Sequence, residues 1–183
     1  ADPFAVVLGK NGLAWGKGIA ENVGQRAGPV KHEGDGRAPA GIFKLGTAFG
    51  YASTATTQLP YLALTPTTEC VDDSQSRHYN ELVDGAAIAR DWNSSERMRR
   101  DDDMYRQGIF IEHNSPASPA MGSCIFFHIW RGPSLPTLGC TAMDQADISR
   151  LLGWLDPRQS PLLIQLPEAE YEHARVSWNM PER

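Results

Sequence analysis

The stretch "GSCIFFHIW", residues 122–130, decides how this chain is read. Its core is dense in β-branched and aromatic residues, and its start is marked by a glycine, so it reads as a buried β-strand. Side chains alternate along a strand. Cys124, Phe126, His128 and Trp130 therefore share one face, and Ile125, Phe127 and Ile129 share the other. His128 falls near the C-terminal end, where a strand opens towards a cleft.

Working outward, "GIFIEHN" (108–114) is a second strand, joined to the first by the loop "SPASPAM". Downstream, "MDQADISRLLGWLDP" changes period. Ile148, Leu151, Leu152 and Leu155 fall at i, i+3, i+4 and i+7, Asp144 is a natural N-cap, and Pro157 stops the helix. "PLLIQLP" reads as a closing buried strand between Pro161 and Pro167. Upstream, "FAVVL", the turn "GKNG" and "LAWGKGIA" spell a β-hairpin. The Gly/Pro-rich loop 24–41 leads into the strand "GIFKLG", and "LPYLALTP" (59–66) is a further strand. The segment "TTECVDDSQSRHYNELVD" has no clear period. In "WNSSERMRRDDDMY" (92–105), Ser94 or Ser95 offers an N-cap for a charged, exposed helix. The fold class is mainly β with a few helices, a β-rich α+β arrangement. Its 183 residues suit a single domain, 1–183, with no internal repeat or linker.

Bulk properties exclude some classes of function. The net charge is −5 and no Lys/Arg cluster forms a basic stripe, which disfavours a nucleic-acid partner. No apolar run reaches the length that spans a bilayer. The opening "ADPFAVVLGK" lacks the charged and then apolar organisation of a secretory leader, so a leader is either removed or was never there. The five histidines and three cysteines show no metal-ligand spacing, and no metal or other cofactor is expected. "RRDDDMYRQG" lacks the alternating ligands of a calcium loop. "GDGRAPAG" (34–41) carries Pro39 where a dinucleotide fingerprint needs its third glycine. Arg37 in that loop suits a carboxylate, although a surface arginine in a turn is the commoner role.

The chemistry centres on "PTLGCTAM". Cys140 lies twelve positions after His128 and four before Asp144. The positive end of the following helix would favour a thiolate. The amides of Gly139 and Cys140 are placed to receive an oxyanion. Free cysteines are also commonly buried as small apolar fillers. From position alone, a nucleophile with its base and a core cysteine beside a satisfied histidine both remain open.

Taken together, three elements resemble the L,D-transpeptidase (YkuD-like) catalytic domain. "GDGRAPAGIFKL" is similar to that family's Thr-Pro-x-Gly-x-Phe element, with Ala38 in place of Thr. "GSCIFFHIW" resembles its histidine strand, and "PTLGCTAM" its Ser/Thr-x-Gly-Cys signature. "ECVDDSQSRHYNELVD" and "WNSSERM…DDDMYRQGIFIEHN" resemble a subgroup of such proteins. The resemblance implies a YkuD-like β-sandwich and a cysteine acyltransferase that acts through a thioester on peptidoglycan stem peptides, in the periplasm or outside the cell. It implies Cys140 as nucleophile, His128 as general base, the Ile129 carbonyl as third member and amides near Gly139 and Cys140 as oxyanion donors. When water resolves the thioester, the outcome is an L,D-carboxypeptidase or endopeptidase, and a fold without turnover would be a wall-binding module. Two positions depart from the pattern: Leu138 replaces a common histidine, and Ala142 a common Arg or Asn. Arg37, Asn114, Trp130, Arg131 and Thr137 are then the candidate substrate contacts. With Cys140 as nucleophile in an exported protein, parity implies a Cys70–Cys124 disulfide.

Overall fold

A computed structural model describes residues 2–19 and 27–182. Chain order gives β1 (Val6–Val7), β2 (Leu13–Trp15), β3 (Ala38–Gly50), β4 (Tyr61–Ala63), β5 (Thr68–Val71), β6 (Leu82–Asp84), β7 (Ser95–Arg97), β8 (Gln107–Ile111), β9 (Phe126–Ile129) and β10 (Thr141–Met143). Helix α1 (Gln145–Trp154), β11 (Leu162–Gln165) and helix α2 (Glu168–Ala174) follow. The domain is mainly β, with mixed sheets and two α-helices among the described residues.

The main sheet runs β1-β10-β9-β8-β3-β11, and β3 also pairs with β2 and β4. At thirteen residues, β3 is long enough to serve two sets of neighbours. Ala38–Ala40 pair in parallel with β2, residues 41–44 run antiparallel to β11, and Ala48–Gly50 pair with β4 and β8. Its register shifts between Leu45 and Ala48, a bulge that re-aims the strand. Opposite Phe49 stands Gly108, where a Cβ would lie 2.2 Å from the phenylalanine ring. Only glycine admits that close crossing.

Strand β9 shows the expected alternation. Ile125, Phe127 and Ile129 join Phe43, Ile109, Ile111 and Met143 in one core cluster, which Ile148, Leu152 and Leu155 of the α1 region cover. Cys124 and Phe126 face the other way, into a cluster with Phe49, Cys70, Met98 and Tyr105. Asp144 caps α1 as read, its carboxylate accepting from the Ala146 N–H at 2.9 Å. The second face is roofed by the chain between residues 64 and 107, which holds a small sheet of order β6-β5-β7. A disulfide between Cys70 and Cys124 ties this roof to β9. Closing a loop of 54 residues in the unfolded chain corresponds to about 4 kcal/mol of stabilisation.

Several expectations are corrected. The N-terminal hairpin does not form. The turn closes, with Gly12 N–H donating to the Gly9 carbonyl at 2.8 Å, but β1 pairs with β10 and β2 with β3. Arg37 explains part of this, because its guanidinium donates to the carbonyls of Asn11 and Leu13 and binds that segment to the 34–38 loop. That loop ends at residue 37, not 41, since Ala38–Ala40 find a partner in β2. Residues 24–26 of it, and Ala20 of the supposed return strand, lie outside the described residues. The helix expected over 92–105 is absent, and β7 with a turn takes its place. The segment has no apolar stripe to bury as a helix, whereas Met98 and Tyr105 anchor it in the second cluster and Ser95 binds Glu69. The aperiodic 67–84 stretch folds as β5 antiparallel to β6. Strand β11 is only partly buried, with Leu162 exposed, and α2 is an element that the sequence did not signal.

One buried group makes the fold pH-sensitive. His113 is fully buried, donates from Nε2 to the Met121 carbonyl at 2.9 Å, and has no partner for Nδ1 among the described residues. Burial, with Lys31 adding to it, pushes the imidazole down to about 4 from 6.5. Between those values the unfolded chain binds the extra proton and the folded chain does not. Stability is therefore full above pH 6.5 and falls as the pH drops towards 4, by up to about 3 kcal/mol. Urea unfolding at pH 7 and pH 4.5 should show this loss, and His113→Gln should flatten it. Equal slopes in both proteins would rule out His113 as the source.

Candidate active site

Strands β9 and β10 run parallel, with Thr141 opposite Phe127, Ala142 opposite His128 and Met143 opposite Ile129. Cys140 immediately precedes β10, so its side chain points to the same face as Ala142 and His128. It sits diagonally across from the histidine, two positions back along the ladder. Both residues line one cavity of about 780 Å³ under the roof. Ala142 is fully buried between them. Its methyl group leaves open the space that a long polar side chain would fill.

The imidazole of His128 is buried, and its Nδ1 lies 2.8 Å from the Ile129 carbonyl. Since a carbonyl only accepts, Nδ1 carries the proton and Nε2 keeps its lone pair for the cavity. Burial lowers its pKa, with Arg100 and Arg131 acting the same way against the Ile129 bond, so the ring is neutral at neutral pH. Tyr105 packs edge-on against it, with ring centroids 5.2 Å apart.

Cys140 is the free cysteine, half-buried and open to the cavity. Its thiol receives the Phe126 N–H at 3.4 Å and donates to the Cys124 carbonyl at 3.5 Å. No hydrogen bond joins it to His128 among the described residues. Burial pushes the thiol up to about 12, and the Glu96 carboxylate adds to this, while the Phe126 N–H and Lys31 act against it. The expectation of a thiolate favoured by the following helix is overturned for a structural reason. Helix α1 packs on the opposite face of the sheet, and its first turn is already capped by Asp144. At rest the pair is a neutral thiol and a neutral imidazole.

The turn before Cys140 is held by Thr137. Its hydroxyl donates to the Cys140 carbonyl at 2.6 Å and accepts from the Gly139 N–H at 3.1 Å. The Gly139 amide, one of the expected oxyanion donors, is thus committed within the turn.

Of the substrate contacts read from sequence, Trp130, Arg131 and Thr137 line the cavity, and Arg37 and Asn114 do not. Arg37 is spent on backbone carbonyls. Asn114 is fully buried and binds the Ser118 and Gly122 carbonyls and the Ser118 N–H, which folds the 114–122 loop onto itself. Leu138 is exposed at the cavity mouth. Sequence reasoning missed the roof's contribution of Asp72, Glu96, Arg100 and Tyr105, together with Lys31, Glu33 and Ser123. These residues are scattered over strands and turns with no shared spacing. Within the roof Glu96 accepts from the Tyr105 hydroxyl at 2.5 Å, and burial raises its carboxyl pKa. No cluster of metal-ligating side chains occurs among the described residues, and none of their helices is long and apolar enough to cross a membrane.

Comparison with family models, curated proteins and solved structures finds no match for this chain.

The thiol makes a direct prediction. At pH 7 iodoacetamide should label Cys140 more slowly than an exposed cysteine, which titrates near 8.5, and the rate should keep rising beyond pH 9. A rate that levels off near pH 7 would mean a thiolate and contradict this environment. Unfolding without reductant should expose one reactive thiol, because Cys70 and Cys124 are bridged.

Proposed function

We propose that this protein is a cysteine acyltransferase of the L,D-transpeptidase type, with a YkuD-like fold, acting on peptidoglycan stem peptides in the cell envelope. One observation carries the reading. A free thiol and a histidine, whose Nδ1 is fixed by the carbonyl of its own neighbour, open onto a single cavity. Fixing Nδ1 leaves Nε2 as the base, the role the sequence resemblance assigns to His128. The Cys70–Cys124 bridge supports an oxidising compartment, the periplasm or the exterior.

With a neutral pair, the proton must move as the sulfur attacks. The Cys140 thiol proton passes to His128 Nε2 while Sγ bonds to the carbonyl carbon of the stem peptide, and the carbonyl π electrons move to oxygen. The sequence resemblance assigns the Cys140 N–H as the donor to that oxyanion. When the C–N bond breaks, the amine takes the proton from Nε2, leaving a thioester and a neutral imidazole. An acceptor amine then attacks the thioester, gives its proton to Nε2, and the departing sulfur recovers the thiol. A high resting thiol pKa is compatible with this order, because the thiolate need exist only in the transition state.

A second reading keeps the chemistry and substitutes water for the amine. Ala142 opposite His128 and Leu138 at the mouth favour it, because neither supplies a polar hold for an acceptor stem. Trp130, Arg131 and Thr137 are the expected substrate contacts that line the cavity.

The test incubates the protein with diaminopimelate-containing tetrapeptide stems and reads masses. Expected are an acyl-enzyme lost in Cys140→Ala, and turnover reduced by about 100-fold or more in His128→Ala. Cross-linked dimers select transfer, and tripeptide with free D-alanine selects hydrolysis. Full activity in Cys140→Ala, or no acyl-enzyme in the native protein, would overturn both readings.

A further inference from the structure

His128 is held at two points, and only one of them is a hydrogen bond. The Nδ1 bond to Ile129 fixes the tautomer, yet a ring held by one bond can still rock about it. The second hold is the edge-on packing of Tyr105, at 5.2 Å and 79°. Tyr105 is buried, and its ring also meets Phe126 at 5.6 Å and Phe49 at 5.9 Å. It lies outside any strand, in the turn before β8. Its hydroxyl donates to Glu96 of β7 at 2.5 Å, and the Arg100 guanidinium covers its ring at 5.3 Å. Arg100 also reaches Glu96, at 3.7 Å. The residue before Tyr105 contributes as well, since the Met104 carbonyl accepts the Ile129 N–H at 3.0 Å.

We infer that Tyr105, tethered by Glu96, is a positioning residue that fixes the plane of the His128 imidazole, and this rests on the reading of His128 as base. The hydrophobic neighbours of Tyr105 set its depth, and the phenol–carboxyl bond sets its rotation. Glu96 lies on β7, so the roof reaches the base through a carboxyl group, a phenol and a ring contact. The carboxyl group has its own structural reason to be buried. It gives the phenol an acceptor that an apolar residue would not supply, and Arg100 limits the cost of its charge.

Three variants separate this role from simple packing. Tyr105→Phe keeps the ring and cuts the tether. Glu96→Leu cuts it from the other side. Glu96→Gln keeps an acceptor and removes the charge. With tetrapeptide stems, Tyr105→Phe and Glu96→Leu should each lose about tenfold in kcat with KM little changed, as small misorientation of a base produces. Glu96→Gln should recover most of the loss, and the double variant Tyr105→Phe with Glu96→Leu should be no worse than either single one. The second measurement needs no turnover. The His128 Nδ1–H resonance should be sharp in the native protein and Glu96→Gln, and broadened in the two tether-cutting variants. Unchanged kcat and an unchanged resonance in those variants would overturn the inference, and so would Glu96→Gln behaving like Glu96→Leu. If the native protein shows no turnover while the resonance follows the tether, the acyltransfer reading fails and the positioning stands. Should one tether-cutting variant not fold, the other supplies both readouts.

Discussion

Everything at the site depends on the parallel pairing of β9 with β10. Antiparallel neighbours can be joined by a two-residue turn, but parallel ones require the chain to leave the sheet and return in the same direction. The segment between Ile129 and Thr141 makes that return, and it delivers Cys140 to the position just before β10 with its side chain on the His128 face. Shifting the register by one residue would turn the thiol into the α1 core. The hydrophobic contacts of Phe127, Ile129 and Met143 with α1 therefore also secure the placement of Cys140 and His128 on the other face of the sheet.

The electrostatics of the site follow from its roof. Burial raises the thiol and the carboxyl of Glu96, and it lowers the imidazole. All three shifts favour neutral forms, as burial in a low-dielectric cavity does, although Arg100 acts against the shift of Glu96. Arg100 lies at the centre of this balance, because it pairs with Glu96 and Asp102 and disfavours a charged His128. A resting site of this kind supplies little charge to an incoming electrophile. The proposed acyl transfer would then rely on the order in which protons move, and that in turn requires a fixed imidazole.

The legible part of the chain was the part with a period. Strand alternation in 124–130 assigned each side chain of β9 to its correct face, and the i, i+3, i+4, i+7 pattern with Asp144 located α1 and its cap. Where no period exists, local cues misled. Ser95 resembled an N-cap, but its hydroxyl is taken by Glu69, which lies 26 positions earlier in sequence. The Asn11-Gly12 turn is real, yet its two arms pair with strands from elsewhere. Arg37 and Asn114 looked like ligand-binding groups because their backbone partners are long-range or within the loop itself, and neither leaves a trace in spacing. The thiol's environment was misjudged for a related reason: sequence proximity to a helix start says nothing about which face of the sheet the helix covers.

The disulfide links these features. Cys124 uses its sulfur to hold the roof through Cys70 and its carbonyl to accept the Cys140 thiol. Its φ of 56° lies in the left-handed region, which costs a non-glycine residue energy and bends the chain just ahead of β9. Two tertiary ties at one residue can offset that cost: the covalent bridge, and the Asn80 carboxamide oxygen that accepts the Cys124 N–H at 2.9 Å. Asn80 also reaches the His113 and Asn114 carbonyls, so the bend is locked to the loop on its other side. The backbone that receives the thiol is thus held by the same contacts that close the cavity. In this domain the roof, the bridge and the proposed nucleophile form one structural unit.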